Sequence, residues 1–160
     1  MKDTCTATVR KALVGDVPEI AEIINTHARN GLMLPRPLSW LYDNIRDYVV
    51  AECDGAIVGG GALHVMWSDL AEIRAVALKE EYSGRGIGRI IVDALVEEAR
   101  VLGIERVFVL TYRDGFFGNL GFTVIDKSEL PHKIWSECVN CVHFPNCNEI
   151  AMIRVLKNGD

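Results

Sequence analysis

Residues 71–104 read AEIRAVALKEEYSGRGIGRIIVDALVEEARVLGI. Up to Leu78 the stretch is apolar except at Glu72 and Arg74, and its length suits a strand. From Ile87 onward the apolar residues Ile87, Ile90, Ile91, Ala94, Leu95 and Leu102 recur on one helix face, and Gly103 stands as its stop. Between strand and helix lies Tyr82-Ser83-Gly84-Arg85-Gly86-Ile87-Gly88-Arg89. Glycines at such a junction let several backbone N–H groups converge on one anion, aided by the helix dipole. Glu72 to Arg106 carries six cations and seven anions, so an anion site here must be made locally, by amides with Arg85 and Arg89. A P-loop needs Gly-Lys-Ser/Thr, and Arg89-Ile90 follow Gly88 instead. A dinucleotide fingerprint begun at Gly84 and Gly86 needs a glycine where Arg89 stands. Neither nucleotide motif is met. A plain turn before a helix is the alternative reading.

Working outward, Thr6 to Ala12 reads as a short strand. Asp16-Val17-Pro18-Glu19 has the form of a capping box with proline in the first turn. Ile20, Ile23, Ile24, His27 and Ala28 continue that helix to Asn30-Gly31, and Ser39 is placed to cap a second helix through Ile45. Tyr48 to Cys53 and Ala56 to Trp67 form a hairpin about Asp54-Gly55. The Gly59-Gly60-Gly61 run marks a bulge or a close approach of another backbone or a ligand. After the decisive stretch come a strand at Val107–Leu110, a helical turn or two at Phe116–Leu120, and strands at Thr123–Ile125 and Ile150–Leu156. Residues 126–148 loop between those last two. The order βααβββαβαββ describes one mixed α/β domain over residues 1–160.

The 160 residues are 49% hydrophobic, ample for a core, and no apolar run approaches a membrane span. A net charge of −5 argues against nucleic-acid partners. The start MKDTCTATVRKAL has no apolar signal region, so a cytoplasmic protein without membrane attachment is expected. Cys5 and Cys53 stand alone and read as small buried hydrophobes, with reduced thiols as the default. Cys138, Cys141 and Cys147, with His143 among them, could supply four zinc ligands or simply pack as a loop; no metal site is assigned.

The 71–104 stretch resembles the central motif of the GNAT acetyltransferase superfamily, whose turn is Gln/Arg-x-x-Gly-x-Gly/Ala. Gly86 and Gly88 match the glycines, while Ser83 replaces the usual Gln/Arg. The element order matches too, which implies a mixed, mostly antiparallel central sheet flanked by helices. Acetyl-CoA is the implied co-substrate, its pyrophosphate on the amides of Gly84, Arg85, Gly86, Ile87, Gly88 and Arg89. Its pantetheine arm would follow Val76, Ala77 and Leu78. Further matches at LMLPRP, AEIRAVAL, VLTYRDGFFGNLGF and LPHKIWSECVNCVHFPNCNEIAMI resemble the ArgA-type short amino-acid acetyltransferases. These acetylate the α-amine of L-glutamate in arginine biosynthesis.

The resemblance implies Glu72 as general base, with pairing to Arg74 as the alternative, and the Val76 N–H as oxyanion donor at a bulge. Phe117 stands where many superfamily members carry a tyrosine acid, leaving Thr111 and Tyr112 as hydroxyl candidates. Substrate carboxylates need guanidinium or ammonium groups. Arg36 matches a substrate-binding arginine, and Arg74, Arg113 and Lys133 are further candidates. Other readings are a GNAT enzyme for a polyamine or a peptide N-terminus, and a non-catalytic acyl-CoA-binding module. The sequence leaves a homodimer open.

Overall fold

A computed structural model describes residues 5–31, 33, 35–130 and 149–156. Seven strands form one sheet in the order β1-β2-β3-β4-β5-β7-β6. They are β1 (Thr8–Lys11), β2 (Tyr48–Cys53), β3 (Ala56–Trp67), β4 (Leu70–Leu78), β5 (Arg106–Thr111), β6 (Thr123–Ile125) and β7 (Ile150–Val155). The helices are α1 (Val17–Arg29), α2 (Leu38–Asp43), α3 (Ile87–Leu102) and α4 (Asp114–Gly118). The order read from the sequence, βααβββαβαββ, is the one that forms.

Every strand pair is antiparallel except β4 with β5. The β2–β3 hairpin turns at Asp54 (φ 52°) and Gly55 (φ 80°), the left-handed pair that a two-residue turn demands. Strand β2 is buried on both faces, which explains its nearly unbroken apolar run. Val49, Ala51 and Cys53 pack with Ile91, Leu95 and Val96 of α3. Tyr48 and Val50 pack with Ile20 and Ile24 of α1 and Leu41 of α2. The layers are therefore α3, sheet, and α1 with α2. Leu95 is fully buried, so Leu95→Ala would cost about 2–5 kcal/mol.

Three local expectations need correction. The Asp16 side chain does not cap α1. Its carboxylate accepts from Leu13 N at 2.7 Å and from Arg10 Nη1 at 2.7 Å, because β1 brings a guanidinium within reach. Ser39 lies inside α2, whose N-cap is Pro37. On α3 the buried stripe runs through Val92, Val96 and Ala99, while Leu102 is 56% exposed beside the terminating Gly103.

A fourth correction concerns the thiols. Cys5 and Cys53 are joined in a disulfide, not isolated. The β1–β2 register, Thr8 opposite Glu52, carries the chain before β1 past the end of β2 and brings the two Cα atoms to 5.8 Å. Among the described residues, no helix is long and apolar enough to cross a membrane.

Candidate active site

The site is made by two irregularities in β4. Strands β4 and β5 pair in parallel only from Leu70 to Glu72, against Arg106 to Phe108. Beyond Glu72 they part, and the opening is a cleft of about 1110 Å³ lined by residues 72–81 on one side and 109–113 on the other. That is large enough for a cofactor together with a small acceptor. The second irregularity is a bulge. Gly60 pairs with Ala77 and Ala62 with Arg74, so Ala75 and Val76 together oppose Gly61. Ala75 has φ 59°, a left-handed conformation that a non-glycine residue takes only where surrounding structure enforces it. The triple glycine permits the close contact: a Cβ on Gly59 would lie 2.8 Å from Ala77 O, and one on Gly60 2.8 Å from Val49 O.

At the outer end of the cleft stand Ser83, Gly84, Gly86, Gly88 and Arg89. Gly86 caps α3 with φ 80°, and the first-turn N–H groups of any helix lack partners inside it. Three members of the expected cradle behave differently from one another. The Ile87 side chain is buried in the core, so only its amide is available to a ligand. Arg85 does not line the cleft; its guanidinium lies over the Tyr82 ring, 5.2 Å from the centroid. Arg89 lines the cleft and reaches Asp93 at 3.8 Å. Ala77 and Leu78 line it as well. The Leu78 carbonyl accepts from His27 Nε2 at 2.7 Å, a contact the sequence did not announce.

Glu72 and Arg74 face the same cleft and are 8% and 9% exposed. Arg74 Nη2 donates to Glu72 Oε1 at 2.8 Å, and it also approaches Met66 Sδ at 3.9 Å. The two readings of Glu72 are thus not exclusive: it is paired with Arg74 and it lines the cleft. Thr111 is buried in the cleft wall, where its Oγ1 accepts from Arg113 N at 2.8 Å. Tyr112 and Arg113 are cleft residues too, and the Arg113 guanidinium stacks on Phe116 at 4.6 Å.

Arg36 lines the cleft too, from the segment between α1 and α2. The structure therefore brings together Glu72, Arg74, Thr111, Tyr112, Arg113 and Arg36. Lys133 and the group Cys138, Cys141, His143 and Cys147 lie outside the described residues. Five cations and five carboxylates line the cleft among the described residues, although the chain carries −5. An anionic ligand meets a balanced wall there and not the acidic average. Glu149, at the foot of β7, is a cleft carboxylate that sequence reasoning missed, because its placement depends on β7 returning beside β5.

Comparison with known proteins gives a consistent picture. The sequence profile of the Acetyltransferase (GNAT) family matches residues 16–122. An uncharacterized N-acetyltransferase of Chlorobaculum tepidum is 39% identical over 96% of this chain and 97% of its own length. An amino-acid acetyltransferase of Mycobacterium tuberculosis is 43% identical over 83% of this chain and 78% of its own. The crystal structure of Rv2747 from Mycobacterium tuberculosis, in complex with CoA and NLQ, superposes with a TM-score of 0.83 at 37% identity, covering 94% of this chain and 99% of that one. N-acetylglutamate synthase from Neisseria gonorrhoeae, complexed with coenzyme A and N-acetyl-glutamate, gives a TM-score of 0.86 at 27% identity. There the match covers 95% of this chain and 35% of the larger protein. With this profile, these relatives and the bulged β4 beside a glycine-capped helix, the chain belongs to the GNAT acetyltransferase family.

Proposed function

We propose that this acetyl-CoA-dependent amino-acid N-acetyltransferase acetylates the α-amine of L-glutamate, and that residues 1–160 form one catalytic domain. One observation carries the reading. A single cleft joins the glycine-capped start of α3, the bulge at Ala75-Val76, Glu72 and Arg36. In this reading that one cleft holds a cofactor cradle, a reaction centre and a carboxylate receptor. The names of the amino-acid acetyltransferase relatives and of the N-acetylglutamate synthase neighbour support the same acceptor class.

In this reading the pyrophosphate of acetyl-CoA rests on the amides from Gly84 to Arg89, and pantetheine runs along β4 where β5 has parted from it. The amine nitrogen attacks the thioester carbonyl carbon, forming the C–N bond and placing negative charge on the carbonyl oxygen. The bulged Val76 N–H stabilises that oxyanion. That attack needs a lone pair, so Glu72 first removes the ammonium proton, directly or through a water. Collapse breaks the C–S bond and the nitrogen gives up its second proton. That proton passes to solvent when CoA leaves as a thiolate, or replaces the proton that the Thr111 or Tyr112 hydroxyl hands to the departing sulfur. A thiolate, with a pKa of roughly 8.5 by analogy with cysteine, leaves well without a strong acid. Arg36 receives a substrate carboxylate, with Arg113, Lys133 and the Glu72-paired Arg74 as further cations. The product belongs to arginine biosynthesis in the cytoplasm.

The test is an acceptor panel with acetyl-CoA, read as free thiol release, containing L-glutamate, other amino acids, spermidine and a peptide N-terminus. Glutamate should be the best acceptor. Ready turnover of spermidine with none of glutamate overturns the assignment. Binding of CoA without release on any amine would make the protein an acyl-CoA-binding module.

A further inference from the structure

The segment Pro35-Arg36-Pro37 offers a single backbone N–H, that of Arg36, because proline has none. A residue before proline is also kept out of the helical region, so this stretch is stiff and extended. Asn25, on α1, takes that one donor: its Oδ1 accepts from Arg36 N at 3.0 Å. Its Nδ2 donates to the Arg36 carbonyl at 3.2 Å. One carboxamide thus closes both main-chain groups of the arginine, as a neighbouring strand would. A carboxylate at position 25 has no donor for the carbonyl, and an aliphatic side chain has neither group.

The other end of Arg36 is held as well. Its guanidinium lies over the Trp40 ring, 4.0 Å from the centroid. Trp40 stands edge-on to Tyr48 at 6.4 Å, and Tyr48 is 1% exposed in the core under α1 and α2. The attraction of a cation to the indole face holds the guanidinium at the ring, and a guanidinium is the group that grips a carboxylate in a fork. Asn25 and Trp40 do not themselves line the cleft, whereas Arg36 does.

We infer that Asn25 and Trp40 are positioning residues that set Arg36 as a preformed receptor for the acceptor carboxylate. The inference rests on the reading above, in which Arg36 binds that carboxylate. Ordering a long side chain on a proline-flanked loop opposes binding, and here the ordering is completed when the chain folds. Their effect therefore falls on acceptor affinity and not on the chemical step or on the cofactor.

Steady-state thiol release with L-glutamate and acetyl-CoA tests this on the parent, Asn25→Ala, Arg36→Ala and the double variant. Asn25→Ala should raise KM for glutamate about 5- to 20-fold, with kcat held within about two-fold and KM for acetyl-CoA unchanged. In the Arg36→Ala background the same change should add nothing, since two residues acting through one contact do not add. Asn25→Asp, which keeps size and acceptor but loses the donor, should fall between parent and Asn25→Ala. Trp40→Phe should retain most of the affinity that Trp40→Leu loses. A thermal shift with CoA, equal to the parent's, reports that each variant is folded. Full additivity of Asn25→Ala with Arg36→Ala overturns the inference, as does a parental Asn25→Ala or Asn25→Asp beside an impaired Arg36→Ala. A parental Arg36→Ala removes Arg36 as the carboxylate receptor and the inference with it, whereas no release with glutamate by the parent overturns the functional reading itself.

Discussion

Glu72 stands between a buried partner and the open cleft. Its carboxylate is ion-paired with Arg74 at 2.8 Å inside a wall where both side chains are buried, and it also faces the cleft. The pair fixes the orientation of the carboxylate, which is what a base acting on a docked amine requires. Glu72→Gln should lower kcat by about 10²-fold or more while acetyl-CoA still binds, with the deficit shrinking at high pH as the free amine becomes abundant. Parental turnover at neutral pH would reduce Glu72 to a partner of Arg74. Because the variant also breaks a buried pair, a melt must accompany the kinetics. Arg36 makes a sharper distinction. Arg36→Ala should lose about 10- to 150-fold in kcat/KM for glutamate, the worth of a charge-assisted bond in a part-desolvated pocket. Arg36→Lys should recover only part, since an ammonium cannot form the fork. If Arg36→Ala matches the parent with glutamate, the carboxylate site moves to Arg113, Lys133 or Arg74. Spacing and motif resemblance singled out Glu72 and Arg36, and both line the cleft. Neither singled out Asn25: on an amphipathic helix it reads like any polar residue, and its partner arrives eleven positions later through a loop.

At the scale of elements, punctuation decided what could be read. The β2–β3 hairpin and α3 carry glycines at Gly55, Gly86 and Gly103, all at positive φ, and their bounds follow from the residues alone. The parting of β4 from β5 has no such mark. It depends on how far two distant strands stay in register, and Phe108 opposite Glu72 is the last pairing of that ladder. The Asp16 cap failed for a related reason: the local rule was sound, but Arg10 on a neighbouring strand competed for the carboxylate. The junction of β4 and α3 yields the element-scale prediction. Gly86 has φ 80° and open space where a Cβ would sit, so an aspartate fits sterically but carries strain and a negative charge toward the pyrophosphate. CoA should raise the melting temperature of the parent and leave Gly86→Asp unmoved. Equal shifts in both would place the cofactor elsewhere.

On the scale of the whole molecule, two of the links that hold the edge strand β1 respond to different conditions. Arg10 bonds Asp16 at 2.7 Å and Glu52 at 3.2 Å, joining β1 to the start of α1 and to β2. The Arg10 guanidinium holds the Asp16 carboxyl below its ordinary range, with burial opposing and the Leu13 N–H assisting. A depressed carboxylate stabilises the fold above its unfolded pKa of about 3.9, and that gain disappears as pH falls through the lower folded value. Asp16→Asn should therefore cost on the order of 1 kcal/mol at pH 7, with Arg10 a third exposed and screened, and the two proteins should converge in strong acid. A constant gap down to strong acid would show that the loss is packing and not charge. The second link is the Cys5–Cys53 disulfide, which closes a loop of sequence separation 48. Constraining the unfolded chain over such a loop is worth roughly 2–4 kcal/mol, or a melting shift of about 5–15 °C for a domain of this size. Reductant alone is an ambiguous probe, because it reaches all five cysteines. Cys5→Ser and Cys53→Ser resolve it: each should melt where the reduced parent melts and should be insensitive to reductant. The bond ties β1 to β2 at one side of the sheet, whereas the cleft opens between β4 and β5, so KM for acetyl-CoA and for the acceptor should not move. A parent that melts alike with and without reductant, and alike with Cys5→Ser, has no such bond in solution, and the ladder to β2 with the ion pairs of Arg10 and Lys11 then holds the edge strand.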